Sequence, residues 1–337
     1  MHLCSTMDPS TNKDKSHRLF YLCKMRYMFN PEHLTTLQAV VEEGTVLAAA
    51  DRLGITASAV SQQLGRLQRE TGQPVMARRG RSLEPTDAAA VLVRMAEQLR
   101  DLDESARAEL ERLRQDVGGT LVVSGFPTAV YGLLAPMAAR LQQRHPDLEL
   151  TVRELAPEES VPAVRRGEVD LAVVHDWTDR HVPLRDRVHV WPVGLDPVDL
   201  VAPHDHRLVM REGGVDLEDL DGQVWIDDSP GVFSDWLLST LESRDVRYRV
   251  GAAVDSERGK VALTAGGFGL CLLPRLGREQ LPADVVALPL VEAPTRRVLA
   301  VHRDSSHGRP AVQAALGIVR EVWAEHADLP DVDQVSL

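Results

Sequence analysis

Apolar residues change their spacing several times along the chain, and each change marks a different kind of element. Leu34, Leu37, Val40 and Val41 recur at three- and four-residue steps, the stripe of an amphipathic helix that Gly44 ends. Pro31 suits its first turn, where a missing N–H has no partner to lose. Thr45 is placed to cap a second helix with Val46, Ala49, Ala50 and Leu53 inward, ending at Gly54. Thr56 is placed to cap a third. Its apolar line is Val60, Leu64 and Leu67; opposite runs a polar, short-chained line of Ser58, Ser61, Gln62, Gly65 and Arg69. Two short helices joined across "LGIT" are the pattern of a helix-turn-helix, and the alanines at 48–50 let two helices cross closely. A polar stripe is ordinarily a solvated face. In this setting it reads as a surface meant to lie against base edges.

After Gly72 the chain turns to short extended runs. Val75 and Met76 can face back to the helices, "RRGR" at 78–81 supplies a glycine turn among arginines, and 82–85 returns. This predicts a two-stranded wing with a basic tip. Thr86 is placed to cap a long helix with apolar residues at Leu92, Met95, Leu99, Leu102, Ala106, Leu110 and Leu113, a seam of about four heptads. Such a helix cannot bury its stripe alone, so it pairs with a second copy or packs on the chain's own next domain.

Gly118 and Gly119 open a different rhythm. "TLVVSG", "LELTVREL" and "VDLAVVH" read as strands separated by helices around 129–144 and 158–167, an alternation that implies a parallel sheet. Two strand-like runs over 188–202 flank Pro192 and Pro197. Strands then follow at "QVWID", "RYRVGAAV", "GLCLLP", "VVALPL" and "RRVLAVHR", with helices through 236–241 and 260–265 and a last one over 310–327. The reading is two α/β lobes, crossed near Pro197 and again near 288–294, with a cleft between them. "GFPTAV" places a helix N-terminus at a strand end, a seat for polar groups.

Charge refines this picture. The net charge of −12 is unevenly spread: +3 over residues 1–27, zero over 28–86, −3 over 87–117 and −12 over 118–337. Within 28–86 the acids Glu32, Glu42, Glu43 and Asp51 come early, and Arg66, Arg69, Arg78, Arg79 and Arg81 come late. A basic cluster forms, but its field is modest, so weak nonspecific DNA binding is expected. Cys4, Cys23 and Cys271 imply neither a disulfide framework nor a metal knuckle. No apolar run approaches the ~18–20 residues that span a bilayer, and residues 1–27 lack a signal-peptide pattern. The expectation is a cytoplasmic protein with no membrane partner, whose first 27 residues are a disordered extension or a start-site artefact. "HDH" at 204–206 lacks the surrounding ligands of a metal site, "HAD" at 326 reads as solvent-facing, and no nucleophile-elbow, zincin, phosphate-loop or dinucleotide pattern occurs. His175 is either a cleft contact or a strand-end residue.

"TVLAAADRLGITASAVSQQLGRLQRETGQPVMARRGRSLEPTDAAA", followed by "VAPHDHRLVM" and "VALTAGGFGLCLLP", resembles the LysR-type transcriptional regulators over residues 29 to about 326. The resemblance implies an α + α/β chain: a winged helix-turn-helix domain (28–86), a linker helix that dimerises (87–117), and a periplasmic-binding-protein-like effector domain (118–330). The effector lobes would be 118–195 plus 290–330, and 196–289. It implies sequence-specific binding of double-stranded DNA by a homodimer or homotetramer, no catalytic residue, no metal and no cofactor beyond a small-molecule effector between the lobes. RNA polymerase is a further candidate partner. By motif position the DNA-facing residues are Thr56, Ala57, Ser58, Ala59, Ser61, Gln62 and Arg66, with Arg79 and Arg81 on the wing. The effector positions are Phe126, Pro127 and Thr128, and across the cleft Ser229, Pro230, Gly231, Gly267 and Phe268. Many members carry Arg where Gln62 stands, Glu at Gln68, Phe at Met76 and Gly at Ala89; losing an Arg at 62 removes a bidentate guanine reader. Two other readings stay in view: a regulator whose lobes serve only as an oligomerisation scaffold, and a solute-binding α/β protein whose N-terminal helices only mediate assembly.

Overall fold

A computed structural model describes residues 29–79, 82–114, 117–177, 187–211, 213–291, 293–326 and 329–330. The extension at 1–27 and Arg81 lie outside the described residues. Among these, no helix is long and apolar enough to cross a membrane. The chain divides into two units, Met1–Glu104 and Ser105–Leu337.

In the first unit α1 (Pro31–Glu43), α2 (Val46–Leu53) and α3 (Ala57–Thr71) pack around Leu34, Leu37, Val40, Ala49, Ala50, Val60, Leu64 and Leu67. The capping groups do what their chemistry allows. The side chains of Asn30, Thr45 and Thr56 accept from Glu32, Ala48 and Ala59 N–H at 2.9, 3.1 and 3.1 Å. Gly54, at φ +65°, makes the left-handed turn between α2 and α3. β1 (Met76–Arg79) and β2 (Ser82–Pro85) pair antiparallel from Met76↔Pro85 to Arg79↔Ser82, forming the wing. Thr86 ties wing to helix: its hydroxyl donates to Pro74 O at 2.7 Å and accepts from Ala89 N–H at 3.3 Å, at the head of α4 (Asp87–Arg114).

The second unit is built on a mixed sheet. β3 (Gly119–Gly125) is parallel to both β4 (Leu148–Glu154) and β5 (Leu171–Trp177). β11 (Thr295–Arg303) joins β5 antiparallel, and β6 (Val188–Pro203) joins β11 antiparallel. The helical stretch 127–144 (α5) and α9 (Pro310–Trp323) cover one face, on Leu121, Val123, Val298 and Ala300. α6 (Pro157–Arg166) covers the other, on Ala172, Val174, Leu299 and Val301. The second lobe takes the far half of β6, on which β9 (Cys271–Pro274) and β10 (Val285–Leu288) pair antiparallel. It adds the parallel pair β7 (Gln223–Asp227) and β8 (Tyr248–Ala253), with α7 (Val232–Ser243) and α8 (Glu257–Ala265).

Three expectations need correction. The two runs over 188–202 are one strand that passes from lobe to lobe. Pro192 is accommodated because the β11 ladder shifts register there, Gly194 facing Val298 and Pro192 facing Leu299, so the missing N–H falls at a bulge. The last helix stops at Trp323 rather than 327, because Trp323 is its last buried residue. His326 is not a solvent residue: its Nε2 lies 3.0 Å from the Gly132 carbonyl, within the π turn Val130–Leu134 of α5.

Where β6 crosses, Asp196 is fully buried. It accepts from the Arg275 and Leu276 N–H groups, both at 2.9 Å, and pairs with the buried Arg296 guanidinium. Removing one member of a buried ion pair strands the other. Asp196→Ala is therefore expected to lower the unfolding free energy by about 3–5 kcal/mol, measured by urea denaturation; a loss under 1 kcal/mol contradicts this account.

Candidate functional site

The first candidate surface is the outer face of α3. Val60, Leu64 and Leu67 are buried, and Ser58, Ser61, Gln62, Arg66 and Arg69 are exposed. Gln63, which belongs to neither line, bonds the Thr36 hydroxyl and fixes α3 on α1. The Ser61 hydroxyl donates to Ala57 O at 2.9 Å, so its lone pairs are what it offers outward. Thr56 is exposed at the helix start, while Ala57 and Ala59 are half-buried beside it. A Cβ added at Gly65 would meet nothing within 4 Å. The packing of the chain therefore does not require this glycine, although it costs the helix about 1 kcal/mol relative to Ala. An exposed stripe of small residues lets a flat partner approach closely. On the wing, the Arg79 side chain is exposed, 3.4 Å from Glu84. Arg81 falls outside the described residues.

The α4 seam splits in two. Leu92 is buried in the first unit's core, with Met95 and Leu99 packed against it. Leu102, Leu110 and Leu113 are 68%, 61% and 75% exposed. Further along, Glu111 reaches Arg309 at 3.2 Å, and Arg309 also holds Asp170 at 2.7 Å and the Thr120 carbonyl at 2.9 Å. The end of the helix is thereby bonded to the start of β3.

The second candidate is a cavity of about 590 Å³ with walls from both lobes. Pro127, Thr128 and Tyr131 of α5 and Glu154 at the end of β4 form one side. Asp255 to Arg258 with Val261 and Ala262 of α8, Leu273, and the segment 277–282 form the other. Behind Thr128 the Arg296 guanidinium donates to its hydroxyl at 2.9 Å and lies 4.9 Å from the Phe126 ring centroid. His175 packs edge-on to Phe126 at 4.6 Å. Burial, helped by Arg296, holds the His175 imidazole well below its usual range, so it is neutral at pH 7. Burial pushes the Glu257 carboxyl up to about 7, against the pull of Arg296 and Lys260.

The sequence-predicted effector residues are not all brought together. Pro127 and Thr128 line the cavity, and Phe126 is buried just beneath. Ser229, Pro230 and Gly231 do not line it. Ser229 bonds Asp255 through its N–H (2.7 Å) and hydroxyl (3.0 Å), and the Glu158 carboxylate of the other lobe accepts from Val232 N–H at 2.9 Å. Gly267 and Phe268 are misplaced: a Cβ on the neighbouring Gly269 would sit 2.6 Å from the Val224 carbonyl, and the Phe268 ring covers Gly251. Of the "GGFG" glycines, Gly269 is the one that packs on β7. Sequence reasoning missed Arg296, Asp196 and Glu257. The period of β11 carries a signal for one of them, since Arg296 falls in line with the core residues Val298 and Ala300.

Comparison with known proteins matches residues 114–324 to the LysR substrate binding domain and residues 31–90 to the bacterial regulatory helix-turn-helix protein, lysR family. A probable RuBisCO transcriptional regulator of Synechocystis sp. is 28% identical, over 90% of this chain and 88% of its own length. The HTH-type transcriptional regulator CysL of Bacillus subtilis is 27% identical, over 72% of this chain and 79% of its own. Full-length OxyR of Pseudomonas aeruginosa shares the fold, with TM-score 0.60 at 19% identity, over 87% of this chain and 98% of that one.

Two outcomes follow from this geometry. Gly65→Ala should raise the unfolding free energy by about 1 kcal/mol and weaken binding to promoter DNA. A stability gain without a binding loss, read by denaturation and gel shift together, would remove Gly65 from the DNA-facing surface. Because the folded-state pKa of Glu257 is raised, the folded form binds a proton that the unfolded form has released. Its contribution should make stability fall as pH rises from about 4.5 to about 7 and then level off. Glu257→Gln should flatten that segment of the stability–pH curve.

Proposed function

The chain belongs to the LysR family of transcriptional regulators, and from that membership we propose that a small molecule held between its lobes switches its DNA binding. The protein binds DNA through its helix-turn-helix domain and is not an enzyme. The observation that carries the proposal is the cavity with walls from both lobes. A ligand there contacts the two lobes at once, so its affinity differs between lobe arrangements, which is the condition for shifting their populations. Arg309 supplies a connection outward, since it bonds both the start of β3 and Glu111 of the linker helix.

In this reading Ser58, Ser61 and Gln62 meet base edges, with Ala57 and Ala59 in apolar contact beside them. Thr56 and Arg66 lie near phosphates, and Arg79 and Arg81 enter from the wing. Phe126, Pro127 and Thr128 support the ligand, while Ser229, Pro230 and Gly231 govern the lobe edge through Asp255 and Glu158. The exposed leucines of α4 pair two copies, which set two recognition helices on successive half-sites. Tetramer formation, contact with RNA polymerase and a cytoplasmic location complete the proposal.

Arg66→Ala should reduce the slope of log affinity against log salt by about one phosphate contact, whereas Gln62→Ala should shift affinity with the slope intact. Equal slopes for both variants would sink the division of roles. Leu110→Lys should convert the dimer to monomer in sedimentation runs and abolish the specific gel shift. Ala262→Trp, which fills the cavity, should abolish the transcriptional response to the effector while basal promoter binding persists; an unchanged response favours lobes that act as scaffold only.

A further inference from the structure

α1 buries three polar side chains, His33, Thr36 and Gln38, among the apolar Leu34, Leu37, Ala39 and Val40. Two of them make bonds to other helices. The Thr36 hydroxyl donates to the Gln63 side-chain oxygen on α3, and His33 on the same side of α1 lies 3.7 Å from Glu70 near the end of α3. The Gln38 side-chain oxygen accepts from Arg100 Nη2 of α4 at 2.6 Å, and its amide donates to Glu42 at 2.7 Å. Glu42 in turn accepts from Arg52 of α2 at 2.6 Å. Residues two apart point about 200° apart around a helix. α1 is therefore bonded to α3 from one side and to α4 from the other. Along α4 the inner line is apolar at Ala89, Leu92 and Ala96, all in the first unit's core, and the next position at that spacing is Arg100. The bond to Gln38 thus sits where the apolar packing of α4 stops, just ahead of the exposed Leu102.

An apolar side chain at position 38 would bury as readily and make no demand on direction. A buried polar group costs free energy unless it is bonded, and what it adds in return is a fixed register. Resting on the reading that α4 pairs two copies, we propose that the Thr36–Gln63 and Gln38–Arg100 bonds set the angle between the reading helix and the pairing helix, and so the half-site separation that the dimer accepts. Magnitudes favour this role. With neighbouring helices 8–10 Å apart, a reading face one helix beyond α1 sits on a lever of about 18 Å, so a swing of about 11° displaces it by about 3.4 Å, one base-pair step. Apolar ridge packing leaves crossing angles scattered by about 15–20° from one helix pair to another, which is too coarse to fix that step. The second half-site is engaged intramolecularly, so its gain in affinity depends on both reading helices seating at once.

The test uses the full-length protein on DNA duplexes carrying the half-site that it selects from a random-sequence pool. The half-site is present once, or as two inverted copies whose separation is stepped by single base pairs through one turn of about 10 bp. Gel shifts give the affinities and thermal melts give Tm. The native protein should show one sharp optimum of separation. Gln38→Met, close in volume but without donor or acceptor, should lower the ratio of best to worst separation by about fivefold or more, with single-half-site affinity held within about twofold. Thr36→Val should do the same from the other side of α1. Gln38→Glu keeps the oxygen that Arg100 needs and should restore the sharp optimum. An optimum unchanged in both Gln38→Met and Thr36→Val overturns the proposal. So does a joint loss of single-site affinity, paired-site affinity and Tm in both variants, which is what bonds that only hold the domain together would give. If the native protein shows no optimum or sediments as a monomer, the pairing reading falls and takes the proposal with it; an unchanged optimum in dimeric variants strikes the proposal alone.

Discussion

A buried carboxylate holds the point where the chain crosses between the lobes. Asp196 sits at the point where β6 leaves one lobe for the other, and it accepts from two backbone N–H groups and the Arg296 guanidinium. A buried ion pair repays its desolvation only when its remaining donors and acceptors are also satisfied. Arg296 also donates to Thr128, and its face lies against Phe126. Leu276, whose N–H Asp196 holds, packs so closely on Gly132 that a Cβ there would sit 2.6 Å away. The positions of the cavity walls follow from this hub. Other contacts across the junction add to it, including Trp177 stacked on Trp236 with ring centroids 3.8 Å apart.

A junction of this kind carries position outward as well as holding it. Asp170 accepts the Val122 N–H on β3 and the Arg309 guanidinium, and Arg309 reaches Glu111 of the long helix. Charge-assisted bonds of this sort are short and directional, so they fix the end of the long helix to the start of β3. Leu102, Leu110 and Leu113 are exposed, so the helix also carries an uncovered apolar seam.

The outer face of α3 is chemically sparse. Ser58, Ser61 and Gln62 are small or neutral, and the Ser61 hydroxyl already donates its hydrogen bond to the helix backbone. The domain around them is electrically neutral. Such a surface offers few strong hydrogen bonds to any partner laid against it.

Much of this was legible in the chain because it depends on local rules. Thr45, Thr56 and Gly54 mark caps and a turn whose geometry is set within a few residues, and the apolar spacing of α1 to α3 names the core that forms. The βα rhythm after Gly118 likewise announces two lobes. Pro192 misled because a proline ends a strand unless a bulge absorbs it, and the bulge depends on a partner strand about a hundred residues away. Asp196, Arg296 and Glu257 were missed for the same reason: a charged residue on a strand or helix looks solvated until the fold encloses it. Gly267 and Phe268 stand among the expected effector contacts, but the cavity is lined without them, and the glycine beside them, Gly269, answers to the Val224 backbone, a neighbour far off in sequence. By itself the sequence determined the helices, their caps and the polar stripe of α3, since each rests on contacts within one or two turns. The tertiary structure alone decided which charges are buried, which are paired and which face the cavity, because those properties exist only once distant segments share one low-dielectric space.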